Sequence, residues 1–242
     1  MPTLFNKSNY IVHYRNLKYY LKHGLIVKRI NRAISFKQST WMGNYIKFCG
    51  NMRRSANSEN EKNYWKLMMN AVFGKSMENV RERVRIEVVR DPKKAIKLIN
   101  HNCFKRYMLF NDNLAAIELY KTRTCLDKPI YVGQAILDLS KLFMYEFHYD
   151  KMLIKYPRSN LLFTDTDSFC YEIFTEDFYN ELQRDDEWFS NFDTSNYPEN
   201  HLCFSLDRKK VIGKFKDEFN SEIIIEFIGL RPKLYSLISE KE

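Results

Sequence analysis

A chain of 242 residues that is 45% hydrophobic and 15% aromatic has the apolar content to bury a substantial core in one or two domains, which excludes a disordered polypeptide. Its longest apolar run, residues 223–230, is interrupted by Glu226 and is far too short for a bilayer. The N-terminus carries no signal-type apolar stretch, so the expectation is a soluble, non-secreted protein with no membrane partner. The net charge of +9 is unevenly spread: the first 110 residues carry 23 Lys and Arg against 6 Asp and Glu, and the remaining 132 carry 16 against 24. A basic half leading into an acidic half suits an enzyme that grips a polyanion beside a set of carboxylates, and a basic ribosome-like or membrane-surface protein would share the charge. The five cysteines form no C-x-x-C pair and the five histidines are scattered, so neither a disulfide framework nor a zinc site is indicated.

In chain order, residues 8–31 mix apolar and aromatic positions with Lys and Arg, predicting a short strand and then a helix ending near Gly24. Residues 35–46 read as a further helix or an extended connection. Residues 61–77 lack proline and are rich in helix formers, within a helical region expected over 51–80. In it Lys62, Lys66, Asn70, Phe73 and Met77 recur at steps of four, four, three and four, which places them on one helix face. A core-facing stripe would be apolar, and this one begins with cations; a solvated face that becomes buried near Phe73 has the same pattern. If the helix runs back far enough, Arg54 falls within roughly 120° of the stripe. Gly74 costs about 1 kcal/mol relative to Ala and so marks a close approach or a helix end.

After Val84 the sequence R-I-E-V-V-R alternates as a strand does, and Asp91-Pro92 breaks it before a short helix over 93–100. Strands are expected over 107–110 and 115–121, joined around Asn111-Asp112-Asn113. From 129 to 154 the spacing of Val132, Ile136, Leu139, Phe143 and Phe147 marks a long amphipathic helix, expected to brace the hairpin outlined by the next segment. That segment is L-L-F-T-D-T-D-S-F-C-Y-E, Leu161 to Glu172, two short apolar runs around two acids. In extended chain, residues i and i+2 face the same side, so Asp165 and Asp167 would present their oxygens to one hard cation such as Mg²⁺ while Thr166 points away. Asp, Thr and Ser are also ordinary turn residues, and a plain surface hairpin would read the same way. The acidic segment 176–193 reads as a solvated helix and loop, and 211–215, 223–228 and 234–238 as the last strands.

Three of these stretches resemble motifs of family B DNA polymerases. K-L-M-M-N-A-V-F-G, Lys66 to Gly74, is similar to that family's K-x-x-x-N-S-x-Y-G. T-D-T-D-S, Thr164 to Ser168, is similar to its Y-x-D-T-D-S. G-L-R-P-K-L-Y, Gly229 to Tyr235, is similar to the K-x-Y element of the protein-primed branch, with G-K-F-K-D-E from Gly213 to Glu218 in place of the preceding linker. The likeness extends over nearly the whole chain, and F-G-K-S-M-E-N-V-R-E-R from Phe73 to Arg83 resembles the self-synthesising transposon polymerases and their viral and organellar relatives.

The resemblance implies an α+β fold: an antiparallel palm sheet with a packed helix and a helical fingers element, in an incomplete polymerase fold. Its expected parts are a palm-associated segment 1–50, fingers helices 51–84, a palm insertion 85–127, and a palm with metal-binding hairpin and primer-contacting end, 128–242. It implies template-directed nucleotidyl transfer with Mg²⁺ held by Asp167 and its partner Asp165. Lys66, helped by Arg54 and Lys62, would contact the incoming triphosphate, and Asn70 and Phe73 would lie near the nascent base pair. Lys233 and Tyr235 would hold the primer end, with Gly74 and Thr166 also on the DNA side. The implied partners are a DNA primer-template and dNTPs, with room for a terminal priming protein, in the nucleus or cytoplasm of a host cell. Two departures stand out: Ala71 and Phe73 replace the usual Ser and Tyr, and the upstream D-x-x-x-L-Y-P motif, source of another metal-bridging carboxylate, does not occur. A nucleic-acid-binding remnant and a metal-dependent nuclease built on the two acids remain as alternatives. Read without the family, Lys233 is a solvated strand-end lysine and Tyr235 a core aromatic.

Overall fold

The computed structural model describes residues 4–240; residues 1–3 of the expected N-terminal segment and 241–242 of the expected C-terminal one lie outside it. The fold is α+β, built from helices and small, mainly antiparallel sheets. Two compact units are formed: one joins the chain up to Gln38 to the chain from Leu137 onward, and the other is Ser39–Ile136.

The Ser39–Ile136 unit begins with α2 (Gly43–Ser55) and α3 (Glu59–Ser76), following α1 (Tyr14–Lys22) of the other unit. A single helix does not run through this region. Ala56 is extended, and Ser58 opens a new helix, its hydroxyl accepting the Glu61 N–H at 3.2 Å. Glu59 and Glu61 then lie at the positive end of the α3 dipole. Arg54 therefore sits in the last turn of α2, and its expected angle to the α3 stripe, which assumed one continuous helix, does not apply. The two helices pack through an edge-on contact of Phe48 with Trp65 at 5.6 Å and a hydrogen bond from the Tyr45 hydroxyl to the Met68 carbonyl. Beyond α3 come β1 (Arg85–Val89), α4 (Pro92–Ile99), β2 (Phe104–Asn111) and β3 (Leu114–Leu119). Asp91 caps α4, with Pro92 in its first turn where no amide donor is needed. The strands pair antiparallel in the order β1-β3-β2, and Val89, Ile117 and Leu119 pack with Leu98 and Ile99 of α4 and with Phe104 of β2.

In the other unit, α1 (Tyr14–Lys22) docks on α5 (Ile130–Phe147), whose length from Leu137 belongs to it. No strand precedes α1 among the described residues. That stretch is fixed instead by polar pairing: the His13 N–H donates to Asp138 Oδ2 at 2.6 Å, and Asn16 Nδ2 to the Asp138 carbonyl at 2.7 Å, all three residues being buried. Helix α5 passes through a π turn (His148–Met152) into α6 (Leu153–Lys155). Then follow β4 (Asn160–Asp165), β5 (Ser168–Glu172), α7 (Phe178–Arg184), α8 (Asp186–Phe189), the short parallel pair β6 (Phe192–Asp193) and β7 (Phe215–Lys216), and the hairpin β8 (Ile224–Arg231) and β9 (Leu234–Ser239). The strands of this unit form separate two-stranded ladders instead of one continuous antiparallel sheet. Its core is Phe147, Met152, Tyr156, Leu182, Trp188, Tyr197 and Cys203, with Phe169 and Phe215 packed against it. Leu182 and Trp188 come from the acidic segment, so the expected solvated helix and loop is in fact a wall of the core. Its carboxylates cap the two short helices, Asp177 through the Asn180 N–H and Asp185 through the Trp188 N–H, while the apolar side chains point inward.

Candidate functional site

The hairpin expected around the two acids is present, and its tip is tight. Asp165 pairs with Ser168 across β4 and β5, leaving Thr166 and Asp167 as a two-residue loop. The Asp167 N–H donates to the Asp165 carbonyl at 2.6 Å, and Thr166 between them has φ +57°. This is a γ-turn centred on a β-branched residue in the left-handed region, a strained arrangement of the sort that persists where the surrounding structure enforces it. The acids are consequently not two positions of one extended strand. Asp165 ends β4, half-buried, and Asp167 stands exposed in the turn, so the expected period-two alignment of their oxygens is not realised.

A second hairpin meets the first. Arg231 pairs with Leu234 across β8 and β9, and the connecting Pro232-Lys233 places a fixed φ before a positive one, Lys233 at +62°. That is the φ pattern of a type II turn, with lysine where glycine is usual. From this tip the Lys233 Nζ reaches Asp165 Oδ2 at 2.9 Å, an exposed ion pair. Lys233, by hydrogen bond and charge, holds the Asp165 carboxyl below the usual carboxylate range, and Asp165 in turn raises the Lys233 ammonium. The Thr166 hydroxyl donates to Asp165 Oδ1 at 3.3 Å. Two residues back on each strand, on the same faces, Phe163 and Tyr235 stack at 4.5 Å with planes 23° apart. Phe227 stacks on Phe163 at 5.7 Å. Gly229 lies opposite Tyr235 in the ladder, and a Cβ there would come within 3.0 Å of the Phe227 ring, so glycine leaves room for that ring. Phe163 and Phe227 were not singled out from sequence. The signal lay in the strand period, since Phe163 is the i−2 neighbour of Asp165 and must share its face.

Beneath the acidic hairpin, His148 in the π turn is 2.9 Å from the Tyr171 hydroxyl through Nδ1, and burial pushes its pKa below the usual histidine value. The ring stack Phe147–Phe169 at 6.0 Å joins α5 to β5. The helix expected to brace the hairpin does so through these contacts.

On the other unit, the polar stripe of α3 faces outward: Lys66 and Asn70 are exposed, Lys62 and Phe73 half-buried. Lys62 Nζ bonds Glu59 Oε1 at 2.6 Å, and Arg54 donates to Asn51 Oδ1. Lys66 has no ion pair or hydrogen bond of its side chain among the described residues. Gly74 is exposed, with open space where a Cβ would be, two residues before the end of α3, so it accompanies a helix end and no close approach. The close approach occurs instead at Gly133, where a Cβ would lie 2.2 Å from Met77 Cγ and 2.7 Å from Ser76 Oγ.

Two hard carboxylates on an exposed tip fit the one or two with which Mg²⁺ is commonly held, waters and phosphate oxygens completing its shell. Among the described residues no three His, Cys, Asp or Glu side chains are gathered to hold a metal ion, so the tip would depend on phosphate for the remaining ligands. No helix of the described residues is long and apolar enough to cross a membrane. Set beside known proteins, the chain matches no family model, no curated protein and no solved structure.

Proposed function

We propose that this chain is the fingers-and-palm portion of a DNA-directed DNA polymerase of the protein-primed family B type, transferring nucleotides from dNTPs to a primer 3′-hydroxyl. The observation that carries the reading is the meeting of Asp165 with Lys233, 68 residues apart in sequence and 2.9 Å apart in space. The acidic motif and the K-x-Y element lie in separate stretches of the sequence, and nucleotidyl transfer needs a metal-binding tip and a primer grip side by side.

In this reading the hairpin tip offers carboxylate oxygens and the adjoining tip a cation and an aromatic face. Mg²⁺, when bound by Asp167 and Asp165, supplies neutralisation of phosphate charge and lowers the pKa of the attacking hydroxyl. Lys233 contacts a primer phosphate, and Tyr235, held by Phe163, supports the terminal sugar. On the Ser39–Ile136 unit, the exposed Lys66, with Lys62 on the same helix face and Arg54 at the end of α2, offers cations suited to a triphosphate, and Asn70 and Phe73 continue the α3 face with groups suited to a base pair. Gly74 and Thr166, without bulk or charge, leave room for the DNA. The 3′-oxygen forms a bond to the α-phosphorus as the bond to pyrophosphate breaks, and the proton of the hydroxyl leaves to solvent. Positioning and charge then provide the rate, with no covalent enzyme intermediate.

The experiment is extension of a labelled primer-template by the purified chain with Mg²⁺ and four dNTPs, beside Asp167→Asn. Extension abolished by the substitution is expected. Cleavage of the DNA without dNTPs would replace this reading by a nuclease, and salt-sensitive DNA binding indifferent to Asp167→Asn, without extension, would replace it by a binding remnant.

A further inference from the structure

The two acids at the hairpin tip are in different states. Asp167 is exposed, and its carboxylate has no partner among the described residues. Asp165 has both oxygens engaged, Oδ2 by Lys233 at 2.9 Å and Oδ1 by the Thr166 hydroxyl at 3.3 Å. We propose that Lys233 is a removable clamp on Asp165: phosphate of a bound nucleic acid draws the ammonium away, and Asp165 then becomes available to a divalent cation. The inference rests on the nucleotidyl-transfer reading of this site and adds an order of events to it.

Three features support a clamp over a fixed structural pair. The ion pair is open to water, the lysine side chain at 80% and the aspartate at 47% of full exposure, and pairs of that kind exchange readily because they contribute little to stability. The lysine backbone is pinned, Pro232 before it and a positive φ at its own position, so only the flexible four-carbon stem has to swing. Finally, an ammonium and a divalent cation cannot share one carboxylate oxygen without repulsion, so the cation binds poorly while the lysine stays. A phosphate that accepts the lysine removes that repulsion and adds its own oxygens to the metal. Metal binding and nucleic-acid binding are thereby coupled in the same direction, each raising the affinity for the other by one factor. Arg231, exposed and beside the same turn, adds to the positive charge facing an incoming phosphate.

The test is Mn²⁺ binding to the full chain, followed by the paramagnetic resonance of the free ion, for the wild type, Lys233→Met and Lys233→Gly. Each is measured with and without a short single-stranded oligodeoxynucleotide, whose own Mn²⁺ uptake is subtracted. The glycine variant suits the left-handed backbone and retains the turn if methionine disturbs it. Both variants should bind Mn²⁺ roughly twofold to fivefold more tightly than the wild type without DNA. The oligonucleotide should tighten the wild type more than the variants by a similar factor, since the variants gain only the phosphate oxygens and have no clamp to release. Equal affinities in all three proteins, an oligonucleotide effect as large without Lys233 as with it, or no Mn²⁺ binding under any condition would overturn the clamp. Coupled Mn²⁺ binding without primer extension would defeat the polymerase reading and leave the clamp standing. Extension without coupling would defeat the clamp alone.

Discussion

The stack of Phe163 on Tyr235 carries a quantitative prediction, because it joins the two hairpins that make up the site. The rings lie 4.5 Å apart and 23° from parallel, inside the range for favourable offset stacking. Such pairs contribute about 0.5–1.5 kcal/mol beyond the apolar area they bury. Tyr235 is 46% exposed and Phe163 half-buried, so the coupling belongs in the lower half of that range, about 0.5–1 kcal/mol. Phe163→Leu and Tyr235→Leu retain apolar bulk and remove the stack, and the double variant completes a cycle in which the separate loss of the Phe163–Phe227 contact cancels. Urea unfolding followed by circular dichroism measures each stability, and the non-additive remainder is the coupling. A remainder below about 0.3 kcal/mol, the ordinary scatter of independent sites, would refute the claim that this stack holds the hairpins together.

Other consequences can be checked on the same protein. Leu182 is fully buried among Phe147, Trp188 and Tyr197, so Leu182→Ala should cost about 2–5 kcal/mol by urea unfolding; a cost under about 1 kcal/mol would return the acidic segment to solvent. Thr166→Gly should raise the stability of the hairpin by about 1 kcal/mol in the same assay, since glycine adopts φ +57° without strain, and a loss of that size would show that the turn is not strained. Glu78 is hydrogen-bonded by Arg83, with Lys75 and Lys128 adding charge and a further bond, and its carboxyl is held down to about 2. Because the folded pKa is depressed, its contribution to stability is present above the ordinary carboxylate value and is lost as pH falls through about 2. A carboxyl titration by NMR should find the Glu78 midpoint near 2, and Arg83→Gln should move it upward; an ordinary midpoint in the wild type would contradict the pairing.

Local chemistry made much of the architecture readable. Asp91-Pro92 announced the start of α4, the Asn111-Asp112-Asn113 turn joined β2 to β3, and the apolar spacing from Val132 to Phe147 marked α5. Asp165 and the Lys233–Tyr235 element stand in separate stretches of sequence, and the fold brings them together, Lys233 on Asp165 and Tyr235 on Phe163. The break between α2 and α3 was also encoded, since Ser58 and Glu61 stand in capping-box spacing, but the favourable helix composition around it concealed the stop. The acidic segment misled for a different reason: its charge dominates its composition, whereas its burial rests on Leu182 and Trp188, with Phe178, Tyr179, Phe189 and Phe192 packed beside them, set among several carboxylates. The relation of Asp165 to Asp167 depended on the backbone of Thr166. A φ of +57° at a threonine runs against residue preference, so no pattern of residue types foretold it.

Template-directed nucleotidyl transfer at the Asp165–Asp167 tip is read out at its simplest by single-nucleotide incorporation. A primer annealed to four templates that differ only in the next base is offered each dNTP separately, with Mg²⁺, by the wild type and by Asp167→Asn. Addition of one nucleotide, chosen by the template base, is expected from the wild type and none from the variant. Addition that ignores the template, addition that survives Asp167→Asn, or none with any pairing would contradict transfer at this tip.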